Sequence, residues 1–182
     1  MNYWVLFGFV WIGAAVYQHY HLCATRDEII SSIQQSIAIG RTDLFIKTRE
    51  YDYRRWWSLS WRFPAEVIFA ENGIYIFRYI GLFGRTKIFV KYHCLYATEQ
   101  DILPFLKSRV NHFNFIHHLD LLKVDRRQVT LEFEMNVPWA NMRFRHYCFV
   151  LEDVRDNDAN RNLMRFQRYR HDILQQQRMT NG

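Results

Sequence analysis

Apolar residues run without interruption from Tyr3 to Tyr17, and no formal charge occurs before Arg26. At 1.5 Å per residue those fifteen positions make a helix about 22 Å long, short of a hydrocarbon core of about 30 Å. Continuing to Ala24 reaches the length and takes in Gln18, His19 and His21, which near a helix end reach the headgroup region. Tyr17 and Tyr20 suit that interface. A cleaved signal peptide is an alternative, but no Lys or Arg precedes the run and Gly13-Ala14-Ala15 is its only small cluster. A buried core helix is the other. The reading carried forward is a transmembrane anchor over 1–24, touching the lipid bilayer through residues 3–24. Arg26, Arg41, Lys47 and Arg49 follow the run, which by the positive-inside rule places the rest in the cytoplasm.

Thr25-Arg26-Asp27-Glu28 has the form of a capping box, and Ile29, Ile30, Ile33 and Ile37 then recur at helical spacing up to Gly40. This predicts an amphipathic connecting helix over 25–42 that starts afresh after the anchor and docks its Ile stripe on the following domain, 43–182. From Tyr51 to Phe63 the period changes to two, predicting a strand with Trp57, Leu59, Trp61 and Phe63 inward and Pro64 as its end. Glu66–Ala70, Ile74–Ile80 and Arg85–His93 read as further strands, with Asn72-Gly73 as a type I′ hairpin turn. Thr98–Val110 reads as a short helix. Leu119–Val124, Val129–Val137 and Met142–Val154 complete the strands, and Asp158–Gln177 is helical. Along Val129–Val137 the odd positions are apolar and the even ones polar without exception.

Composition adds a globular character: 49 % hydrophobic, 23 % charged and 18 % aromatic, the last suited to a β-rich core. Three cysteines, Cys23, Cys94 and Cys148, make no disulfide framework and suit a reducing compartment. A net charge of +6 is too mild to select an anionic partner by itself.

Candidate chemistry is sparse. No phosphate loop, His-Glu-x-x-His, Gly-x-Ser-x-Gly or Cys-x-x-Cys motif occurs. His146 and Cys148 share a strand face and are weak metal-ligand candidates, with His93-Cys94 able to add one more. Against that, Met142, Phe144, Cys148 and Val150 read as an inward row with His146 as a core histidine. His19, His21 and Cys23 read as a polar membrane boundary, and His117-His118 as part of a connection. Arg161, Arg165 and Arg168 fall on one face of the last helix, and Arg143 and Arg145 on the outward face of the last strand. With Arg54-Arg55, Arg170 and Arg178 they form either a surface for an anionic partner or a solvated face paired with nearby Asp. Interleaving of the aromatics with the core pattern argues against nucleic acid as a partner. No cofactor and no catalytic residue is indicated.

Four strands, a connection, three strands and a terminal helix resemble the element order of pleckstrin-homology-like domains over roughly 43–177. That resemblance implies a seven-stranded antiparallel sheet or barrel, α+β in class, whose open end the last helix plugs. It does not extend to inositol-phosphate recognition, because the first interstrand turn is a bare Pro64-Ala65. The alternative is the cone-shaped α+β fold of nuclear-transport-factor-2-like domains. The expected function is a membrane-anchored, non-catalytic binding or assembly module with a protein partner. An envelope or secretion-assembly component on the other side of the membrane, and a membrane-tethered hydrolase or metal enzyme, are the alternatives.

Overall fold

The computed structural model describes residues 3–34, 40–51, 60–70, 72–82, 86–108, 114–125, 128–137, 142–152, 154 and 157–180. It is an α+β fold with few helices and one mostly antiparallel sheet. The elements in order are α1 (Tyr3–Gln34), β1 (Gly40–Tyr51), β2 (Ser60–Phe69), β3 (Gly73–Leu82), β4 (Thr86–Tyr96), a 3-10 turn (Glu99–Asp101), α2 (Pro104–Ser108), β5 (Asn114–Asp125), β6 (Gln128–Val137), β7 (Met142–Glu152) and α3 (Asn157–Thr180).

Sequence neighbours pair around the sheet, and β1 returns to β7 with Ile46 opposite Leu151, closing a barrel. The cone-shaped alternative expects instead a curved sheet led into by helices. An odd number of strands cannot close with every neighbouring pair antiparallel, and the exception is β4–β5. These two run parallel over a short ladder, Tyr92↔Asn114 to Tyr96↔His118. A parallel pair needs a long crossover, and the connection over 97–113 supplies it. The single helix expected at 98–110 is instead the 3-10 turn followed by α2, with Pro104 in the first helical position where its missing N–H costs nothing. The Asp101 carboxylate accepts from Thr98 N–H and hydroxyl, both at 2.8 Å, and from Tyr169 Oη at 2.7 Å, which ties the crossover to α3.

Alternation along β2–β4 buries both faces of that wall. Phe63, Ala65, Val67 and Phe69 of β2 point into the barrel with Ile74, Ile76, Leu95, Leu131, Phe133, Phe149 and Leu151. Leu163 and Phe166 of α3 join this cluster and plug the barrel. The opposite parity, Ile68, Ala70, Tyr75, Phe77, Tyr92 and Cys94, packs beneath Leu22, Ile29 and Ile33 of α1 and Leu106 of α2. The Ile stripe therefore docks on the domain, as its spacing implied; Ile37 lies outside the described residues.

Several local expectations are corrected. Thr25 caps nothing: its hydroxyl donates to the His21 carbonyl at 2.9 Å inside one uninterrupted helix. With no Gly or Pro near Thr25 and a wall to pack on, nothing stops the first helical run. Gly40 opens β1 rather than closing a helix, so 40–42 belong to a strand and not to the connecting helix. Pro64 lies within β2 opposite Phe45, but the β2–β3 ladder begins only at Ala65↔Arg78, so Pro64 has a strand neighbour on one side. Trp57, Leu59 and Arg54-Arg55 lie outside the described residues. The β2–β3 hairpin is where Asn72-Gly73 predicted it, for a different reason. Gly73 has no positive φ; a Cβ there would sit 2.9 Å from the Leu95 carbonyl oxygen. In β7 the inward parity is Phe149 and Leu151, not Cys148.

Candidate functional site

Helix α1 passes through two environments. From Tyr3 to Tyr17 its large apolar side chains are exposed on every side, Trp4 at 81 %, Trp11 at 67 % and Tyr17 at 72 % among them. From Gln18 onward the helix lies on the outer wall of β2–β4, with Leu22, Thr25, Ile29 and Ile33 buried. Of the seven positions 18–24, Leu22 is buried, Gln18, His19, His21 and Cys23 are half-buried, and Tyr20 and Ala24 are exposed. Among the described residues no helix is long and apolar enough to cross a membrane. What projects is a charge-free apolar arm of about 22 Å.

The point where the arm leaves the barrel is a defined joint. In the β3–β4 ladder Arg78 pairs with Lys91 and Tyr79 with Phe89, so Val90 is the extra residue of a β-bulge. Consecutive residues of α1 read it. Gln18 Nε2 donates to the Val90 carbonyl at 2.7 Å, and Phe89 N–H donates to His19 Nδ1 at 3.0 Å. The His19 ring also lies over the Phe89 ring, 6.1 Å between centroids and 22° between planes. Because Nδ1 accepts, the neutral His19 carries its hydrogen on Nε2, which faces Cys23 Sγ at 3.6 Å. Of the polar residues read as a membrane boundary, His19 thus contacts the barrel and Cys23 packs against the outer cluster, while His21 meets Tyr17 within α1.

Two turns further on, Arg26 fastens the docked half. Its Nε donates to Glu66 Oε1 at 2.9 Å, its Cζ lies 5.6 Å from the centre of the Phe89 ring, and it also reaches Asp27. Glu66 is 1 % exposed, and its second oxygen lies 3.7 Å from Lys87 Nζ. A buried carboxylate held between two cations from different elements is an electrostatic clamp. None of Gln18, His19, Arg26 and Glu66 stood out in sequence as a contact set. The i, i+4 spacing of His19 and Cys23 was the available sign, and the bulge that orients them has no sequence signature.

Of the residues read as candidate sites, Arg161, Arg165 and Arg168 are exposed on α3, away from the buried Leu163 and Phe166. Arg170 differs: it is half-buried and donates to the Asp120 carbonyl. Burial lowers its pKa from the ordinary arginine value, offset in part by the Asp120 charge. Arg143 and Arg145 lie on β7 and His146 pairs in register with Tyr51, but their side chains fall outside the described residues. Cys148 is buried, and Cys94 lies in the outer cluster while His93 faces the barrel interior. His93 and Cys94 thus point to opposite faces, as strand alternation requires. Among the described residues no three His, Cys, Asp or Glu side chains converge as a metal site.

His93 meets another partner. His117, expected in a connection, lies on β5 and is buried against it across the parallel seam. Nδ1 of His93 and Nε2 of His117 are 3.4 Å apart, while the ring centroids are 5.6 Å apart at an interplanar angle of 26°. The facing nitrogens therefore lie close to the line between the rings, an edge-to-edge arrangement that holds one hydrogen between two neutral imidazoles. Phe133 and Phe149 enclose the pair. Burial holds the His93 pKa well below the ordinary histidine value, and the charges of His117, Lys91 and Arg78 act in the same direction.

Compared with known proteins, the chain matches no family model, no curated protein and no solved structure.

Proposed function

We propose that the chain is a membrane-anchored, non-catalytic binding or assembly module. The observation that carries this reading is the arm of α1, apolar and exposed around its whole circumference from Tyr3 to Tyr17. A helix meant for a protein groove exposes one apolar stripe; one apolar all round suits a solvent that is apolar on all sides. Tyr3-Trp4 at one end and Tyr17 with Tyr20 at the other are ring types favoured at headgroup level. The length left free by the joint favours insertion into the bilayer over a complete crossing. Rigid continuity with the docked half then holds the barrel at the membrane surface, where tethering raises its effective concentration toward a protein partner.

For the tethered domain we adopt the pleckstrin-homology-like reading. Its support is the order β1–β4, crossover, β5–β7 and a last helix whose Leu163 and Phe166 enter the barrel. In this reading Arg161, Arg165 and Arg168 form the face offered to an acidic partner. Free thiols at Cys23, Cys94 and Cys148 accord with a cytoplasmic domain.

Flotation with phosphatidylcholine vesicles tests the anchor on the full chain. Wild type is expected to rise with the vesicles, and a Val10→Asp/Trp11→Asp variant to stay below with its urea-unfolding midpoint unchanged. Equal flotation of both proteins removes the arm from the function.

A further inference from the structure

The joint between arm and barrel has a chemical condition built into it. His19 holds the bulge of β4 by accepting a hydrogen bond, through Nδ1, from Phe89 N–H. Only a neutral imidazole with a bare Nδ1 can do this; imidazolium carries hydrogen on both nitrogens and would set a donor against a donor. Histidine is also the side chain whose charge ordinarily changes between pH 5 and 8. We propose that the joint is a proton-operated hinge contact: charging His19 breaks its bond to Phe89 and loosens α1 from the β4 bulge, where the Gln18 bond to Val90 remains.

The surroundings favour release over accommodation. Cys23 of α1 and Phe89 of β4 touch His19 itself. Arg26 of α1 and Tyr79 of β3 stand against Phe89, and Asp27 of α1, Glu66 of β2 and Lys87 of β4 join through Arg26 and Tyr79. The Glu66 carboxylate, the buried anion of this group, is engaged by Arg26 and Lys87. Arg26 in turn stands over the Phe89 ring on which His19 stacks, so an imidazolium there would share that ring with a guanidinium. Further along α1 the docking rests on Leu22, Ile29, Ile33 and the Arg26–Glu66 pair, none of which needs His19 neutral. Protonation therefore removes one of the two bonds at the exit point and leaves the rest of the helix in place.

As regulation of the arm this rests on the anchoring role proposed above, but the hinge itself is testable without lipid. Amide hydrogen exchange of Phe89 in the full chain, corrected for intrinsic rates, is measured from pH 8 to pH 5.5 beside the 15N resonances of the His19 ring. The expected result is a loss of Phe89 protection of tenfold or more that tracks the appearance of hydrogen on His19 Nδ1. His19→Gln, whose amide oxygen can accept without titrating, is expected to hold protection constant over the same range. Protection that persists in wild type while Nδ1 is protonated overturns the hinge, as does an equal loss in His19→Gln. Should His19→Gln not fold, the wild-type titration decides alone. Vesicle flotation at pH 8 reports on the anchor separately, so failure of the arm to bind lipid and failure of the hinge to open are distinct results.

Discussion

Arg26 donates from Nε to Glu66 Oε1 at 2.9 Å, joining a helix to a strand forty positions away in the chain. Glu66 is 1 % exposed and Arg26 13 %, so the pair is screened from water and salt, and Lys87 faces the other carboxylate oxygen. Removing one member of such a set leaves the other charge buried without its match. Arg26→Met is therefore expected to destabilise the chain by about 3 kcal/mol in urea denaturation, near the lower end for broken buried pairs because Lys87 still faces Glu66. The Arg26→Met/Glu66→Leu double variant is expected to recover part of that loss. Additive losses in the double variant would show that the two side chains are not coupled.

Glycines separate the two halves of the molecule. At Gly73 an added Cβ would lie 2.9 Å from the Leu95 carbonyl oxygen, a backbone atom of the neighbouring strand that cannot turn aside. Gly73→Ala is expected to cost about 1–3 kcal/mol through displaced strands. At Gly13, in the arm, nothing lies within 4 Å. There Gly13→Ala is expected to leave the unfolding midpoint unchanged and to raise helicity, since Ala is favoured over Gly by about 1 kcal/mol in a helix interior. Thermal unfolding followed by circular dichroism reads both.

Much of the sheet was legible because polar and apolar residues alternate on walls with one buried face. Val129, Leu131 and Phe133 enter the core as their spacing predicts, and the Asp125↔Gln128 pairing leaves the short turn expected between β5 and β6. Legibility fails where both faces are covered or both parities are apolar. In β7, Cys148 and Val150 are as apolar as Phe149 and Leu151, so period two alone could not choose the inward row. In β1, Leu44, Phe45 and Ile46 stand together among Arg41, Asp43, Lys47 and Arg49, and no period emerges. Thr25 shows a local signal overridden: a capping box has no force where the chain before it is already helical and the wall beside it buries Leu22 and Ile29. The joint at His19 was illegible for a deeper reason. It depends on which residue of β4 is bulged, and that is set by the ladder with β3.

The plug of the barrel is open to a direct test. Phe166 is fully buried in the cluster with Phe133 and Phe149, whereas Met164 on the same helix is 57 % exposed. Phe166→Ala removes a core ring where α3 closes the barrel and is expected to cost about 3–5 kcal/mol. Met164→Ala is expected to stay within about 0.5 kcal/mol of wild type. Comparable losses at the two positions would mean that α3 does not enter the barrel through this face.

Acid sensitivity of the barrel itself is expected to come from the parallel seam. His93 lies between β4 and β5 against His117, with Lys91 and Arg78 adding positive potential and Phe133 and Phe149 excluding water. Its folded-state pKa is depressed, so the unfolded chain takes up the proton more readily than the folded one. Stability from this group is then fully present above the ordinary value of 6.5 and falls as pH drops below it, toward the lower folded-state value. One such proton gives a slope of about 1.4 kcal/mol per pH unit. Urea denaturation at pH 8, 6.5, 5.75 and 5 is expected to show little change between the first two points and a steep decline below. Carboxylates contribute little in that window, because their ordinary values lie near 4. In His93→Gln, which keeps a hydrogen-bonding side chain without the titration, the decline is expected to flatten even if the variant starts out less stable at pH 8. An unchanged slope in His93→Gln would move the acid response away from the seam.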